Sequence, residues 1–361
     1  MNYTILSNKW RPKNLDEVVG QEESIYTIKN IIKSKSIHNA YLISGQQGTG
    51  KTSLARIIIK CINCKINITI NPCNKCSCCI EIENDTNIDS IEIDAASKTK
   101  VEEIKEIINS SHYKNTQNRF KTYIIDECHM LSINSFNYLL KILEETKYNI
   151  IYILITTQLE KIPETIISRC INLNLKKISK NNIKKRLLQI FKNENLNYND
   201  QAVNKLIDFS NGSMRQTLNT LEKLNKTKYI NINSIQLLLG LTSDEKILLI
   251  IKNIYDADYN NLIKNTKILI NNNHNMQNIL TQIQIMLYKI SLHKLKINYD
   301  KNDIKNTIFL YLSNKLTMKN IETIYKTISK EKKLIDFSPN INIAIEMILI
   351  QITNKLIYKN S

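Results

Sequence analysis

The stretch AYLISGQQGTGKTSLARI, residues 40–57, decides how the rest of the chain is read. An apolar run, AYLIS, leads into a turn with three glycines, and an amphipathic pattern follows. Gly45 to Thr52 spell G-x-x-x-x-G-K-T. A turn of this form that follows a strand and opens a helix is a P-loop. The backbone N–H groups of Gly45, Gln46, Gln47, Gly48, Thr49 and Gly50, at a helix start, attract phosphate. Lys51 is expected to reach the β- and γ-phosphates of a nucleotide, and Thr52 to ligate Mg²⁺. The alternative, a chance glycine-rich turn, does not explain the strand before it or the helix after it.

Further apolar runs lie on either side. SIEID (90–94), TYIID (122–126), IIYILIT (150–156) and INLNL (171–175) alternate with helical patterns. Together with AYLIS they predict an α/β domain, a five-stranded parallel sheet with helices on both faces. In 133–145 the spacing places Ile133, Phe136, Leu139, Leu140 and Leu143 on one helical face. After residue 178 the strand signal fades. A small helical domain is expected over 179–240 and a third, all-helical domain over 241–361.

Polar residues at the strand ends continue the nucleotide chemistry. Asp126 ends a buried strand, where a carboxylate can hold the Mg²⁺ shell, and Glu127 next to it could act as general base toward water. Thr157 follows the fourth run, where a γ-phosphate would sit. Arg169 lies just before the last strand. Ser213 reads as a helix N-cap, which puts Arg215 in the first turn. A cation there opposes the helix dipole, and a nearby phosphate would offset that cost. The plainer readings are a solvated strand end for Asp126–Glu127, a turn-capping hydroxyl for Thr157 and a surface cation for Arg169.

Composition sets the limits. The chain has 361 residues, enough for two or three domains, and 42% are hydrophobic, enough for packed cores. No apolar run is long enough for a membrane span. The N-terminal MNYTILSNKWRPK lacks a signal-peptide core, so a cytoplasmic protein with reduced thiols and no membrane partner is expected. The net charge of +17 suits a polyanionic partner, but Ile, Lys and Asn richness from AT-rich codons would give the same excess. Six of eight cysteines fall between Cys61 and Cys79. In a reducing compartment such a cluster favours metal over disulfides. Cys64, Cys73, Cys76 and Cys79 are spaced C-x8-C-x2-C-x2-C, and Cys78 is a rival to Cys76 or Cys79. Cys61 falls on the P-loop helix, and Cys128 and Cys170 read as buried small side chains.

KWRP (9–12), VVGQ (18–21), GQQGTGKTS, IEIDAAS, YIIDECHMLS, LLKILEE, ISRC and GSMR together resemble the tau/gamma subunits of bacterial DNA polymerase III. These are the ATPases of the sliding-clamp loader and belong to the AAA+ class. The resemblance is dense from the N-terminus to about residue 225. It implies an AAA+ domain over 1–178, a lid over 179–240 carrying a second sensor, and a collar over 241–361 that holds an oligomer. It makes Arg169 an arginine finger acting on the neighbouring subunit's ATP, Thr157 the first sensor and Arg215 the second. Arg11, Pro12, Val18 and Val19 match the segment that lines the adenine pocket. Cys64, Cys73, Cys76 and Cys79 match a zinc module at 61–80. Four thiolates leave no open position, so that zinc is expected to be structural.

The implied partners are delta and delta-prime type subunits, further copies of this chain, the sliding clamp and primer–template DNA. Ser97, Lys98 and Thr99, at a helix start, are candidates for DNA phosphate contact, with an exposed basic turn as the alternative. Long family members continue to regions that bind helicase and polymerase. This chain ends near the end of the collar, so it resembles the short, gamma-type form, and such tethering is not expected of it. Gln216 stands where the family usually has an acidic residue. Two other classes compete. A Holliday-junction branch-migration ATPase would share the P-loop and finger but not the cysteine insertion. A ring scaffold that binds no ATP would not need Lys51, Thr52, Asp126 and Glu127. Polymerase activity in the chain itself lacks a set of metal-binding carboxylates.

Overall fold

The computed structural model describes residues 5–97, 118–145, 149–224, 229–240, 242–271, 276–297, 307–332, 335 and 338–360. The chain divides into two compact units, Met1–Ile230 and Asn231–Ser361.

In the first unit, β1 (Ala40–Gly45), β2 (Ser90–Asp94), β3 (Lys121–Asp126), β4 (Ile150–Thr156) and β5 (Ile171–Leu175) form one sheet. The order is β2-β3-β4-β1-β5, and every pairing is parallel. A parallel sheet is covered on both faces, so its strands read as continuous apolar runs. β4 shows this: all seven residues of IIYILIT are buried. The strand period of two then splits them between two cores. Ile151, Ile153 and Ile155 join Tyr41, Ile43 and two helices that follow the short α1 (Leu6–Lys9), namely α2 (Glu22–Lys33) and α3 (Lys51–Asn63). Tyr152 and Leu154 join Leu42 and the helix Ile133–Glu144 on the other face. Each such apolar side chain contributes roughly 1.5–3 kcal/mol by leaving water.

Ten of the thirteen residues of α3 are buried, because it lies between the sheet and the cysteine segment with its helix Ser77–Asn84. Three of these, Lys51, Lys60 and Asn63, are polar, and all are matched, Lys51 by carbonyls of the preceding loop. Lys60 Nζ donates to Asn74 Oδ1 at 3.0 Å. Asn63 exchanges two hydrogen bonds with the Phe120 backbone. In the helix Ile133–Glu144 the expected apolar face holds for Phe136 and Leu139, which are buried. Ile133 departs from it and is 80% exposed. It sits in the first turn, beyond the edge of the sheet-facing stripe.

Three helices follow the sheet: Lys180–Glu194, Asp200–Ser210 and Met214–Leu224. Ser179 and Asn199 cap the first two, accepting from the backbone N–H groups of Asn182 and Gln201. Asn195 and Asn211 end them in left-handed conformations. Asn197–Tyr198 and Tyr229–Ile230 form a short parallel pair that the sequence did not signal, since two residues carry no periodicity. The N-terminal segment is tied to these helices. The Trp10 indole donates to Glu194 Oε1 at 2.8 Å, Lys9 pairs with the same carboxylate at 2.7 Å, and Arg186 stacks over the Trp10 ring.

Among its described residues, the second unit is all helical, from Ile232–Leu239 through Ile341–Asn360. Ile247 and Ile251, Ile279 and Ile283, Ile324 and Ile328, and Ile345 and Ile352 recur at helical spacing and meet in one core. No helix among the described residues is long and apolar enough to cross a membrane.

Candidate functional site

Parallel strands bring their carboxyl ends to one edge of the sheet, the usual place for a ligand in an open α/β sheet. β1 ends at Gly45, β3 at Asp126 and β4 at Thr156, so the loop after β1 meets Asp126, Glu127 and Thr157. Thr52 Oγ1 donates to Asp126 Oδ2 at 2.9 Å. Two hard oxygen donors thus converge at the start of α3, a donor set that suits Mg²⁺. Lys51 is 6% exposed, and its ammonium donates to the carbonyls of Gly45 and Gln46 at 2.9 and 3.1 Å. Burial lowers its pKa, and the charges of Glu127 and Asp126 act the other way.

The loop needs glycine at particular points. Gly48 has φ +79°, and a Cβ there would lie 1.9 Å from Ser213 Oγ and 3.2 Å from Arg215 Cβ. Gly45, at φ +146°, would meet the Leu175 carbonyl oxygen at 2.5 Å. The loop therefore packs directly against the end of β5 and the start of the helix Met214–Leu224. Ser213 caps that helix by accepting from the Gln216 N–H at 3.2 Å. Arg215 lies in its first turn and lines the same cleft.

That cleft is lined by Gln47 to Ser53, by Asp126 and Glu127, and by Arg11, Pro12, Val18 and Val19. Met214, Leu218 and Arg186 close it from the helices after the sheet. Burial lowers the pKa of Arg11, as does the positive charge of Arg56 and Arg215. Excess positive charge around a cleft with exposed loop N–H groups favours a polyanionic ligand. Gly45 and Gln46 contribute through their contacts with Lys51, behind the lining. Thr157 reaches the site through Glu127, donating to Glu127 Oε2 at 2.9 Å. Arg169 is away from the cleft. It pairs with Glu144 at 2.6 Å on the surface and donates to the Thr165 carbonyl.

The sequence reading missed one residue at the strand ends. His129 Nδ1 lies 3.3 Å from Glu127 Oε2 and 3.3 Å from Thr156 Oγ1. It also missed the link between the cysteine segment and the cleft wall. Asn74 Nδ2 donates to Asn14 Oδ1 at 2.7 Å, and Asn14 Nδ2 donates to Glu17 at 3.2 Å. Glu17 lines the cleft. These contacts join residues far apart in the chain, and no local pattern marks them.

The Sγ atoms of Cys64, Cys73, Cys76 and Cys79 all lie within 4.8 Å of one another. Sulfurs bound tetrahedrally to zinc at about 2.3 Å sit about 3.8 Å apart, so the four fit a closed metal site with small adjustment. The N–H groups of Lys75 and Cys76 point at Cys73 and hold its thiol down to about 6. Cys78 is buried in the core beside α3, and burial pushes its thiol up to about 12. Cys61 is likewise buried, also at about 12. Cys128 and Cys170 are buried in the opposite core. Of the candidates for DNA contact, Ser97 donates its hydroxyl to the Asp94 carbonyl. Lys98 and Thr99 lie outside the described residues.

The doubly covered parallel sheet, the P-loop at its carboxyl edge and the helices packed on that loop define a nucleotide-binding protein of the AAA+ fold. Residues 20–179 match the family described as DNA polymerase III, delta subunit. Residues 230–359 match domain III of the DNA polymerase III subunits gamma and tau. A DNA polymerase III subunit gamma from Buchnera aphidicola subsp. Schizaphis graminum is 40% identical, over 97% of this chain and 98% of that one. The tau/gamma subunit of Haemophilus influenzae is 35% identical over 97% of this chain and 51% of its own. The tau subunit of Escherichia coli is 32% identical over 97% and 55%. The chain belongs to the gamma/tau subunit family of DNA polymerase III. Among solved structures, the Thermotoga maritima RuvB Holliday junction branch migration motor aligns with a TM-score of 0.49 at 20% identity. That alignment covers 68% of this chain and 79% of the RuvB chain.

Proposed function

We infer that the chain is the ATPase subunit of a clamp loader, using ATP to open a sliding clamp and place it on primer–template DNA. Hydrolysis then releases the clamp, which supports processive replication. The observation that carries this reading is the convergence of Lys51, Thr52, Asp126, Glu127 and Thr157 at one sheet edge, in a chain of the gamma/tau family. The loop N–H groups and Lys51 hold the phosphates. Thr52 and Asp126 hold Mg²⁺, which neutralises charge on the β- and γ-phosphates when bound. Glu127 takes the proton of the attacking water. Thr157 and Arg215 sense the γ-phosphate. Arg11, Pro12, Val18 and Val19 seat the base.

Arg169 acts in trans, on ATP held by the neighbouring subunit. Its surface position and its exposed pairing with Glu144 suit that role, because such a pair is worth only about 0–1 kcal/mol and is readily exchanged. The four clustered thiolates hold a structural Zn²⁺. The division into AAA+ domain (1–178), lid (179–240) and collar (241–361) belongs to this reading, as do delta and delta-prime type partners, further copies in a hetero-pentamer and a cytoplasmic setting. The chain carries no polymerase activity of its own.

The test is ATP turnover by the chain assembled with delta-type partners, alone, with clamp, and with clamp plus primed DNA. Lys51→Ala is the blank. Strong stimulation only when clamp and primed DNA are both present supports the reading. Flat, clamp-independent turnover overturns clamp loading.

A further inference from the structure

We propose that His129 is a positioning residue for hydrolysis, holding the Glu127 carboxylate from behind so that one oxygen faces the attacking water. This rests on the reading of Glu127 as general base. In that step the water oxygen bonds the γ-phosphorus, and the bond from phosphorus to the β–γ bridging oxygen breaks. The water proton passes to Glu127.

The geometry fixes which atom of His129 carries a proton. Glu127 Oε2, 3.3 Å from Nδ1, is a carboxylate oxygen and can only accept. Thr156 Oγ1, also 3.3 Å from Nδ1, donates its own proton to the Gln158 carbonyl at 3.1 Å. Both neighbours therefore present lone pairs, and the tautomer that satisfies them carries the proton on Nδ1. Thr156 is fully buried on β4 and anchored to the Gln158 backbone through both a donated and an accepted bond. The imidazole is thus fixed to a central strand and passes that position on to the carboxylate.

Three features make this more than a satisfied buried histidine. First, burial is graded: the His129 side chain is 7% exposed and that of Glu127 is 30% exposed, so the ring sits behind a carboxylate that faces water. Second, among the described residues the polar contacts of that carboxylate, from His129 and from Thr157, both fall on Oε2. Oε1 takes part in neither contact, and Glu127 lines the cleft. Third, Glu127 has φ +49°, a left-handed conformation that a side chain adopts at a cost, held by its N–H donating to Asp126 Oδ1 at 2.8 Å. The backbone is set so that the carboxylate reaches His129 and Thr157. Thr157 has one hydroxyl proton, and a γ-phosphate would compete for it. His129 is the contact that remains to orient Glu127 when Thr157 turns to the phosphate.

The experiment compares ATP turnover and ATP binding for the full chain, assembled with its delta-type partners, clamp and primed DNA. His129→Ala should lower kcat by about tenfold or more, a fraction of what a general base contributes, with ATP affinity unchanged within about twofold. His129→Asn, whose side-chain amide can stand where Nδ1 stood, should recover most of kcat. In a Glu127→Gln background, His129→Ala should have no further effect, because residues acting as one unit are not additive. If His129→Ala does not fold, Thr156→Val keeps the volume, removes the anchor and should lower kcat in the same Glu127-dependent way. Full kcat in His129→Ala overturns the proposal. So does an equal loss in the Glu127→Gln background, or failure of folded His129→Asn to recover. Absence of Lys51-dependent turnover in the unsubstituted chain overturns the hydrolysis reading, and the proposal with it.

Discussion

Replacing Gly48 by alanine tests whether the phosphate loop and the helix carrying Arg215 are built against each other. At φ +79° an alanine carries a backbone cost of about 1–2 kcal/mol. Its Cβ would also fall 1.9 Å from Ser213 Oγ. The hydroxyl can rotate away, but it is the N-cap that accepts from Gln216, and losing that cap costs about 1 kcal/mol. Gly48→Ala should therefore destabilise the first unit by about 2–3 kcal/mol, the sum of these two effects. Ser213→Ala alone should cost about 1 kcal/mol, the cap by itself. In the double variant the cap is lost only once. The total should stay at about 2–3 kcal/mol, a coupling of about 1 kcal/mol between two residues 165 positions apart. Urea unfolding of the four chains, followed by a probe in the first unit, measures it. Costs that add within about 0.5 kcal/mol refute the contact. Gly50→Ala is the control: at φ +102° with nothing within 4 Å of its Cβ, it meets backbone strain alone and should show no coupling to Ser213.

Four further outcomes are expected. Lys51→Ala should weaken ATP binding by roughly tenfold to a hundredfold, the worth of a charged hydrogen bond to phosphate, read by calorimetric titration. Arg169→Ala should leave stability within about 1 kcal/mol and ATP binding by the isolated chain unchanged, yet lower assembled turnover by about 10³-fold. Cys73→Ser should strip the metal, measured as zinc per chain by elemental analysis, whereas Cys78→Ser should not. The zinc content of the unsubstituted chain should also fall with acidification, since protons compete for thiolates. Lys60 supplies a pH test. Burial lowers its pKa below 10.5, so between its folded pKa and 10.5 the unfolded chain binds the extra proton. Its contribution to stability therefore rises with pH across that window, and Lys60→Met should flatten the slope of urea stability there.

What could be read from the sequence follows from how local each signal is. IIYILIT announces a doubly covered strand because all seven positions face one core or the other. The loop from Gly45 to Thr52 is legible because backbone N–H groups must approach phosphate within one turn, so the requirement falls on consecutive residues. The C-x2-C spacing works the same way: the 73–76 turn folds its own N–H groups onto Cys73, whatever the rest of the chain does. Spacing could not choose between Cys78 and its neighbours, because that choice is made by packing. Cys78 turns into the core beside α3, and Cys79, one residue on, turns to the cluster. Ile133 shows the converse, an apolar residue in register with a buried face that ends one turn too early to be covered.

His129 lay beside Glu127 in the sequence and still could not be read. Nothing in DECHML distinguishes a ring that supports the carboxylate from one that packs. The distinction comes from Thr156, 27 residues away on β4, which supplies the second acceptor. Asn74 and Asn14 give the same lesson at the other wall of the cleft. The asparagine that takes the charge of buried Lys60 also holds the segment leading to Glu17, 57 positions before it in the chain. The chemistry of this site is therefore local in sequence, whereas its orientation is not. In the proposed mechanism the loop, the Asp126–Glu127 pair and the thiolates supply the reacting and binding groups. Their aim is set by single polar contacts from strands and turns that a linear pattern does not connect. Substitutions at such contacts should change how well the groups work without removing any of them. Turnover should fall at His129 while ATP binding holds, which is the split that separates aim from chemistry.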